Sequence, residues 1–568
     1  MSRMLWKRSG LTDNLIGQEK PKTLFFVISI LLITVILFAV TVQVRKPWLG
    51  KLAGGNHQWL TGSTLLFTKN WYREGAWNLR FSTLENPKSI EFATVESRRR
   101  WISYPAGAFV PIYLISKIVG HEPTPSLVMK YNLLNHLLIA LFLSLTIFFF
   151  LSLQLKFSYF NSFLFSTIPI FLELFLPGPF YWHQNVFYAD QAILLPFVLV
   201  VFLEVIRPSV QKISVIDLLQ GVLIFYGFLT DWLFVFVALV LYLSKIARSE
   251  IPYDKLLVFL KKSTKFWLVP AASLSLFALQ LYSFDAFSAL WTKFVFRAAL
   301  DEQGQKYTAD FGATFWDIYI GQSLGRPAGR ILWLCLLIFL ALALYIVLQG
   351  LFKKETNKDI IKVALLIGIL LVPCFLTIYF LKNHSIIHKF TALKFSIPFS
   401  TIPFILVPAA FLTFLGKNSK KHFLTTLVAL MMIALSGIYI INVYSNYHVL
   451  FPGENETFDQ KIEAAQFISE NTSYNEIVFS PDYKIDIYPP QLLSVSMKRV
   501  YKIKAVSQIQ EQVKNVEGDF SVDFFVKGEK PEISPRLKIL LPLAYDVIQK
   551  DNFRLYKIKK EDILSQKI

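Results

Sequence analysis

Stretches of roughly 17–25 mostly apolar residues recur along the chain, each long enough to cross a hydrocarbon layer about 30 Å thick. Inside hydrocarbon a backbone must satisfy its own hydrogen bonds, so such runs fold as helices. Hydropathy places roughly eleven of them. They lie near 23–44, 126–152, 158–176, 191–206, 214–230, 232–247, 265–282, 328–351, 361–381, 396–415 and 422–442. The pair 214–247 reads either as two short spans meeting at Asp231 or as one long broken one. At 568 residues, 54% hydrophobic and a mean hydropathy of +0.47, a water-soluble multidomain chain is excluded. The expected class is a polytopic α-helical membrane protein.

The formal charge is +19, and its placement decides what it means. Basic residues gather in short loops at Lys156, Arg207 to Lys212, Lys245 to Lys265, Lys353 to Lys362 and Lys417 to Lys421. Alternating sides from the basic tail 1–22 puts all of these loops on the cytoplasmic face, as the positive-inside rule requires. Charge used this way argues for membrane lipid and against nucleic acid as a partner. No cleavage site follows the first apolar run, so the first helix is expected to remain as an anchor in the plasma (inner) membrane. Cys335 and Cys374 both fall inside apolar runs and read neither as a disulfide framework nor as a metal site.

The opposite face receives everything unusual: 45–125, 177–190, the Asp231 corner, 283–327, 382–395 and the tail after about 443. Transporters bury polar groups at mid-membrane. This chain gathers polar, aromatic and charged residues at one face, a pattern that suits chemistry or recognition at the outer surface. Three parts are expected: a cytoplasmic tail 1–22, a transmembrane part 23–450 with 45–125 as its first outer loop, and an extracytoplasmic α/β domain 451–568. In the last, "TFDQKIEAAQFISEN" reads as an amphipathic helix, and "EIVFS", "RVYKI", "SVDFFVK" and "FRLYKI" as short strands.

Within the first outer loop, "GGNHQWLTGSTLLFTKNWYREG" read as a helix aligns His57, Thr61, Thr64 and Thr68 in one polar stripe. It is expected at the membrane interface with that stripe facing a cavity; the plainer reading is an interfacial anchor with a solvated His. Further on, Arg98, Arg99 and Arg100 precede "SYPAGAFVPIYL". Three arginines can hold a phosphate through charge-assisted bonds, or an anionic lipid surface. Asp190 opens an apolar run, where a carboxylate is costly without water, a partner or a metal; a helix N-terminus also favours it. Asp231 sits between two apolar runs. In "LKNHSIIHKFTALKFSIPF", His384, His388, Lys389 and Lys394 place cations on the outer face against the charge trend. A phosphate partner explains them better than zinc, since no third ligand is evident.

These elements resemble those of the GT-C glycosyltransferases, the integral membrane class that includes protein O-mannosyltransferases and the bacterial aminoarabinose transferase of lipid A. The resemblance covers about residues 20–450. "YPAGAFVPIYLISKIVG", with Tyr104 and Pro105 at its start, has the shape of that family's second interfacial helix. "ADQAILLPFVL" is similar to its Asp-headed span and matches Asp190. "GFLTD" puts Asp231 where the family commonly has Lys, and "HKFTALKF" resembles its late basic motif. The family's acid at the start of the first interfacial helix is replaced here by Asn56 and His57. The base is then His57, or it comes from Glu91, Glu96, Asp190 or Asp231. The resemblance implies inverting transfer of a sugar from a polyprenyl-phosphate donor to a glycan, lipid or protein acceptor. The leaving phosphate needs cations, or a divalent metal as cofactor, placed in advance; Arg98, Arg99, Arg100, Tyr104, His384, His388, Lys389 and Lys394 are the expected donor-binding set. A ligase or polymerase acting on a lipid-linked glycan, and a non-enzymatic lipid or glycan transporter, are the competing expectations.

Overall fold

The computed structural model describes residues 12–210, 213–248, 256–352, 357–415, 421–446, 456–485, 490–528 and 533–566. Among the described residues, eight helices are long and apolar enough to cross a membrane, from Pro21–Trp48 to His422–Ser445. The pair Tyr159–Phe175 and Pro177–Asn185, bent by 57°, makes a ninth if counted as one span. The chain is thus a multi-pass membrane protein. The expected spans at 214–230 and 232–247 are shorter helices, Ile213–Phe228 and Leu233–Ala247. They break at 229–232, where Asp231 turns its Oδ1 back to accept from Leu233 N at 2.7 Å. The first helix ends at Phe228 and the second starts at Leu233, so the two-helix reading is the observed one.

Segment 45–125 is not a loose connection. Its helix Trp59–Glu74 is buried along most of its length, including Leu60, Phe67 and Trp71. It starts at Trp59, so His57 lies outside it, in a left-handed turn at φ 54°. The Thr stripe also differs from expectation, because it faces protein and not a cavity. Thr61 Oγ1 donates to Asn185 O (2.9 Å) and accepts from Phe187 N (3.0 Å), while Thr64 Oγ1 donates to Phe187 O (2.8 Å). Residues 186–188 link helices Pro177–Asn185 and Ala189–Ala192, with Val186 and Tyr188 extended, so buried hydroxyls supply partners to the backbone there.

The C-terminal part is a five-stranded sheet ordered β2-β1-β3-β5-β4. Its strands are β1 (Glu476–Ser480), β2 (Val500–Lys502), β3 (Ser521–Lys527), β4 (Ala544–Lys550) and β5 (Phe553–Lys559). β1 pairs in parallel with β2 and β3, and β5 runs antiparallel to β3 and β4. β1 and the middle of β3 are buried on both faces, as their apolar runs require. β4, an edge strand with mostly exposed residues, is the strand that sequence patterning misses.

This domain is pressed onto segment 45–125. Helix Pro490–Ser496 lies so close to helix Trp59–Glu74 that a Cβ on Gly62 would stand 2.4 Å from Gln491 N. Gln491 Nε2 donates to Ala53 O (3.1 Å), Lys69 Nζ donates to Ser494 O (2.8 Å), and Tyr501 OH bonds the Glu91 carboxylate. Since backbone atoms fill the space, Gly62→Leu must push the helices apart, at a cost of about 1–3 kcal/mol. A lower unfolding midpoint and faster proteolytic release of the C-terminal domain from detergent-solubilised protein are expected. Unchanged behaviour in both assays would show that this contact carries no stability.

Candidate active site

Three segments distant in sequence converge at the end of the bundle that carries segment 45–125. Asp190 sits in the first turn of Ala189–Ala192, Asp231 before Leu233–Ala247, and Lys394 in the 3-10 turn Lys389–Phe395. All three are buried, at 0%, 1% and 1% exposure. Lys394 Nζ bonds Asp190 Oδ1 and, at 3.2 Å, Asp231 Oδ2. Charges this deep survive only in mutual contact, and removing one partner of a buried pair costs about 3–5 kcal/mol. Asp190 Oδ2 is left without a hydrogen-bond partner, so one carboxylate oxygen is free to accept a proton.

The position of Asp190 is set from two sides. The hydroxyls of Thr61 and Thr64 grip the backbone of residues 185–187, and Asn132 Nδ2 donates to Trp182 O and Val186 O, both at 2.9 Å. Tyr188 N donates to Gln191 Oε1 at 3.0 Å, closing the first turn that carries the carboxylate.

Around this trio stands a shell of rings. Tyr104 OH and His384 Nε2 are hydrogen-bonded at 2.8 Å. His384 and His388 lie 4.5 Å apart between ring centres, and His388 and His57 5.7 Å. Burial pushes His57 down to about 4, with the Lys389 ammonium adding to the shift. Burial first, then neighbouring imidazoles and the Arg297 guanidinium, hold His384 and His388 well below the usual imidazole value. These imidazoles are therefore neutral near pH 7 and do not supply the positive charge expected of them.

The cations are elsewhere. A cavity of about 590 Å³ opens beside the trio, lined by apolar groups including Phe287, Leu290, Trp291 and Phe294, and by Lys293 and Arg297. Trp232 and Ser103, neighbours of Asp231 and Tyr104, belong to the same wall. Arg297 lies over the Tyr104 ring (5.1 Å) and within electrostatic reach of Asp190. Sequence reading passed over both residues because 283–327 looked like an outer loop. The signal was present in "FSALWTKFVFR", whose Lys293 and Arg297 are four apart and share a helix face.

The arginine run stays outside this cluster. Arg98 makes a bidentate pair with Glu74 (both bonds 2.7 Å), Arg99 pairs with Glu85 (2.7 Å), and Arg100 stacks over Phe284 (4.1 Å). The Arg98 and Arg99 pairs tie segment 45–125 to itself, and Arg100 ties it to Phe284. Glu96 is exposed and 4.0 Å from Arg80, and Glu91 is tied to Tyr501. Lys389 points to the Tyr319 ring (5.8 Å). Among the described residues, no three of His, Cys, Asp or Glu form a group that could hold a metal ion. The two central carboxylates face an ammonium where a cation would bind, so this trio, with Lys394 in place, does not fit a divalent metal.

The depressed imidazoles fix a pH dependence. Below about 6.5 the unfolded chain protonates these histidines while the folded chain does not, so stability falls as pH drops from 6.5 toward 4. Thermal unfolding midpoints in detergent should decline across that window. His57→Gln and His388→Gln should each flatten the decline; slopes equal to wild type would remove these residues as its source.

No protein-family model matches the chain, and no curated protein does either. Solved structures do. ArnT from Cupriavidus metallidurans, bound to undecaprenyl phosphate, is 11% identical with a TM-score of 0.49, over 94% of this chain and 97% of that one. The Archaeoglobus fulgidus oligosaccharyltransferase in its apo form is 10% identical with a TM-score of 0.46, over 88% of this chain and 69% of that one. The oligosaccharyltransferase AglB of the same organism, in complex with an inhibitory peptide and a dolichol-phosphate, is 11% identical with a TM-score of 0.46 over the same shares.

Proposed function

We propose that this chain is an inverting glycosyltransferase of the GT-C type, moving a sugar from a polyprenyl-phosphate donor to a glycan, lipid or protein acceptor at the extracytoplasmic face. The observation that carries this reading is the pairing of an apolar cavity bearing two cations with a buried carboxylate that keeps one oxygen free. An isoprenoid tail needs apolar walls, a phosphate needs fixed positive charge, and a hydroxyl nucleophile needs a base. The cavity offers the first two, and Asp190, buried and outside the cavity lining, offers the third.

In this reading the phosphate rests against Arg297 and Lys293 with its lipid along Phe287, Leu290 and Phe294. The acceptor hydroxyl gives its proton to Asp190 Oδ2, and its oxygen attacks the anomeric carbon from the side opposite the phosphate. The bond from that carbon to the phosphate oxygen breaks, and the electron pair leaves with the lipid phosphate. Attack from the opposite side inverts the anomeric centre. Cations already in place stabilise the charge that develops on the leaving oxygen without reorganisation. Lys394 and Asp231 act on Asp190 and keep its carboxylate oriented; they are positioning residues. Asp190 is assigned as the base on its geometry, since Lys394 holds its Oδ1 and its Oδ2 has no hydrogen-bond partner.

Transfer of labelled sugar from polyprenyl phosphate tests the assignment. Asp190→Asn is expected to lower kcat by roughly 10²–10⁴. Arg297→Gln should slow transfer and weaken donor binding, while leaving the acceptor KM near wild type. Full activity of Asp190→Asn would remove it as the base, and a wild-type chain inactive with every polyprenyl-phosphate sugar would remove the reaction.

A further inference from the structure

Two buried carboxylates converging beside a cavity are a common way for a protein to hold a hard divalent cation, which takes oxygen ligands and completes its shell with water. Here Asp190 and Asp231 converge in that way, and the place between them is filled by the Lys394 ammonium. We propose that Lys394 is a covalently tethered counterion standing where a divalent cation would bind, and that removing its amine uncovers a divalent-cation site formed by Asp190 and Asp231.

The ligand oxygens are already aimed. Asp231 Oδ1 is committed to Leu233 N at 2.7 Å, which turns Oδ2 toward the amine. The backbone that leads into Asp190 is held at residues 185–187 by Thr61 and Thr64, a support that does not pass through Lys394. A hard cation binds oxygen at about 2.0–2.2 Å for magnesium-like ions. The 3.2 Å amine contact to Asp231 therefore has to contract by only about 1 Å.

Charge points the same way. Two carboxylates face one ammonium, which leaves an excess negative charge in the trio, and Asp190 Oδ2 has no hydrogen-bond partner. A divalent ion would balance both carboxylates and could engage that oxygen. Arg297 reaches the trio only electrostatically, from over the Tyr104 ring. The amine's delivery is also fixed: Lys394 lies in a buried turn, and its carbonyl accepts from Cys374 Sγ at 3.2 Å. Truncating the side chain leaves a polar space between the two carboxylates.

The inference goes beyond the transfer reading and is tested without it. Full-length wild type, Lys394→Ala and the double variant Lys394→Ala/Asp231→Asn are purified in detergent, stripped with EDTA and titrated with Mn²⁺. Bound ion is read by electron paramagnetic resonance and by elemental analysis after desalting. Wild type is expected to retain only substoichiometric Mn²⁺, Lys394→Ala about one equivalent per chain, and the double variant to lose it. Lys394→Arg, which keeps the charge, should bind no more than wild type. The proposal is overturned if wild type holds a stoichiometric ion that Asp190→Asn removes, or if folded Lys394→Ala binds no more than wild type. If Lys394→Ala is recovered monodisperse only when Mn²⁺ is present during purification, the rescue itself supports the site; no recovery with Mn²⁺, while Lys394→Arg folds, counts against it. Transfer assays with and without EDTA form a separate arm, so an absent reaction would not alter the metal result.

Discussion

One ammonium between two carboxylates ties this end of the molecule together. Lys394 joins chain segments that start at residues 189, 233 and 389, each the beginning of a helix or a turn. A helix start favours negative charge, which places Asp190 and Asp231 where their desolvation is least costly. What a helix dipole cannot do is neutralise two carboxylates that are almost fully buried. The amine does that, and its geometry sets the spacing of the three segments. The broken pair Ile213–Phe228 and Leu233–Ala247 follows from the same requirement. An unbroken span would carry Asp231 past Lys394 along a helix face, without the turn that aims its Oδ2.

The support behind the trio runs outward through the fold in discrete contacts. Helix Pro490–Ser496 of the C-terminal domain packs against helix Trp59–Glu74 at Gly62. That helix presents Thr61 and Thr64 to residues 185–187, and those residues lead into Asp190. Glycine at 62 is a packing requirement and has nothing to do with backbone flexibility, since its neighbour is main chain that cannot yield. Arg98–Glu74 and Arg99–Glu85 stiffen the same segment from its far side. The rigid frame of the site is thus built largely from residues outside the apolar spans.

Much of this was legible in the sequence, for physical reasons that differ from residue to residue. The spans announce themselves because hydrocarbon demands long apolar runs. Asp190 and Asp231 stood out because a carboxylate in such a run needs an explanation, and the structure brings both to Lys394. The Thr stripe was correctly seen as periodic, but periodicity gives a face and not what covers it; a backbone segment more than a hundred residues away does so. The arginine run looked like a phosphate site because Glu74 and Glu85 lie at sequence distances that carry no pairing signal. Lys293 and Arg297 were missed because a short amphipathic helix inside a long polar connection is outweighed by the spans around it. β4 was missed because an edge strand exposed on both faces loses the alternation that marks a strand.

The division of charge around the cavity has a consequence for how an anion would be held. Lys293 and Arg297 are fixed cations, whereas His57, His384 and His388 are kept neutral by burial and by the positive charge near them. An anionic headgroup placed against Arg297 would offset part of that positive charge and so ease protonation of the neighbouring imidazoles. By linkage, a proton taken up on anion binding strengthens that binding as pH falls. With these imidazoles neutral, the chain avoids crowding three more cations beside Lys389 and Arg297.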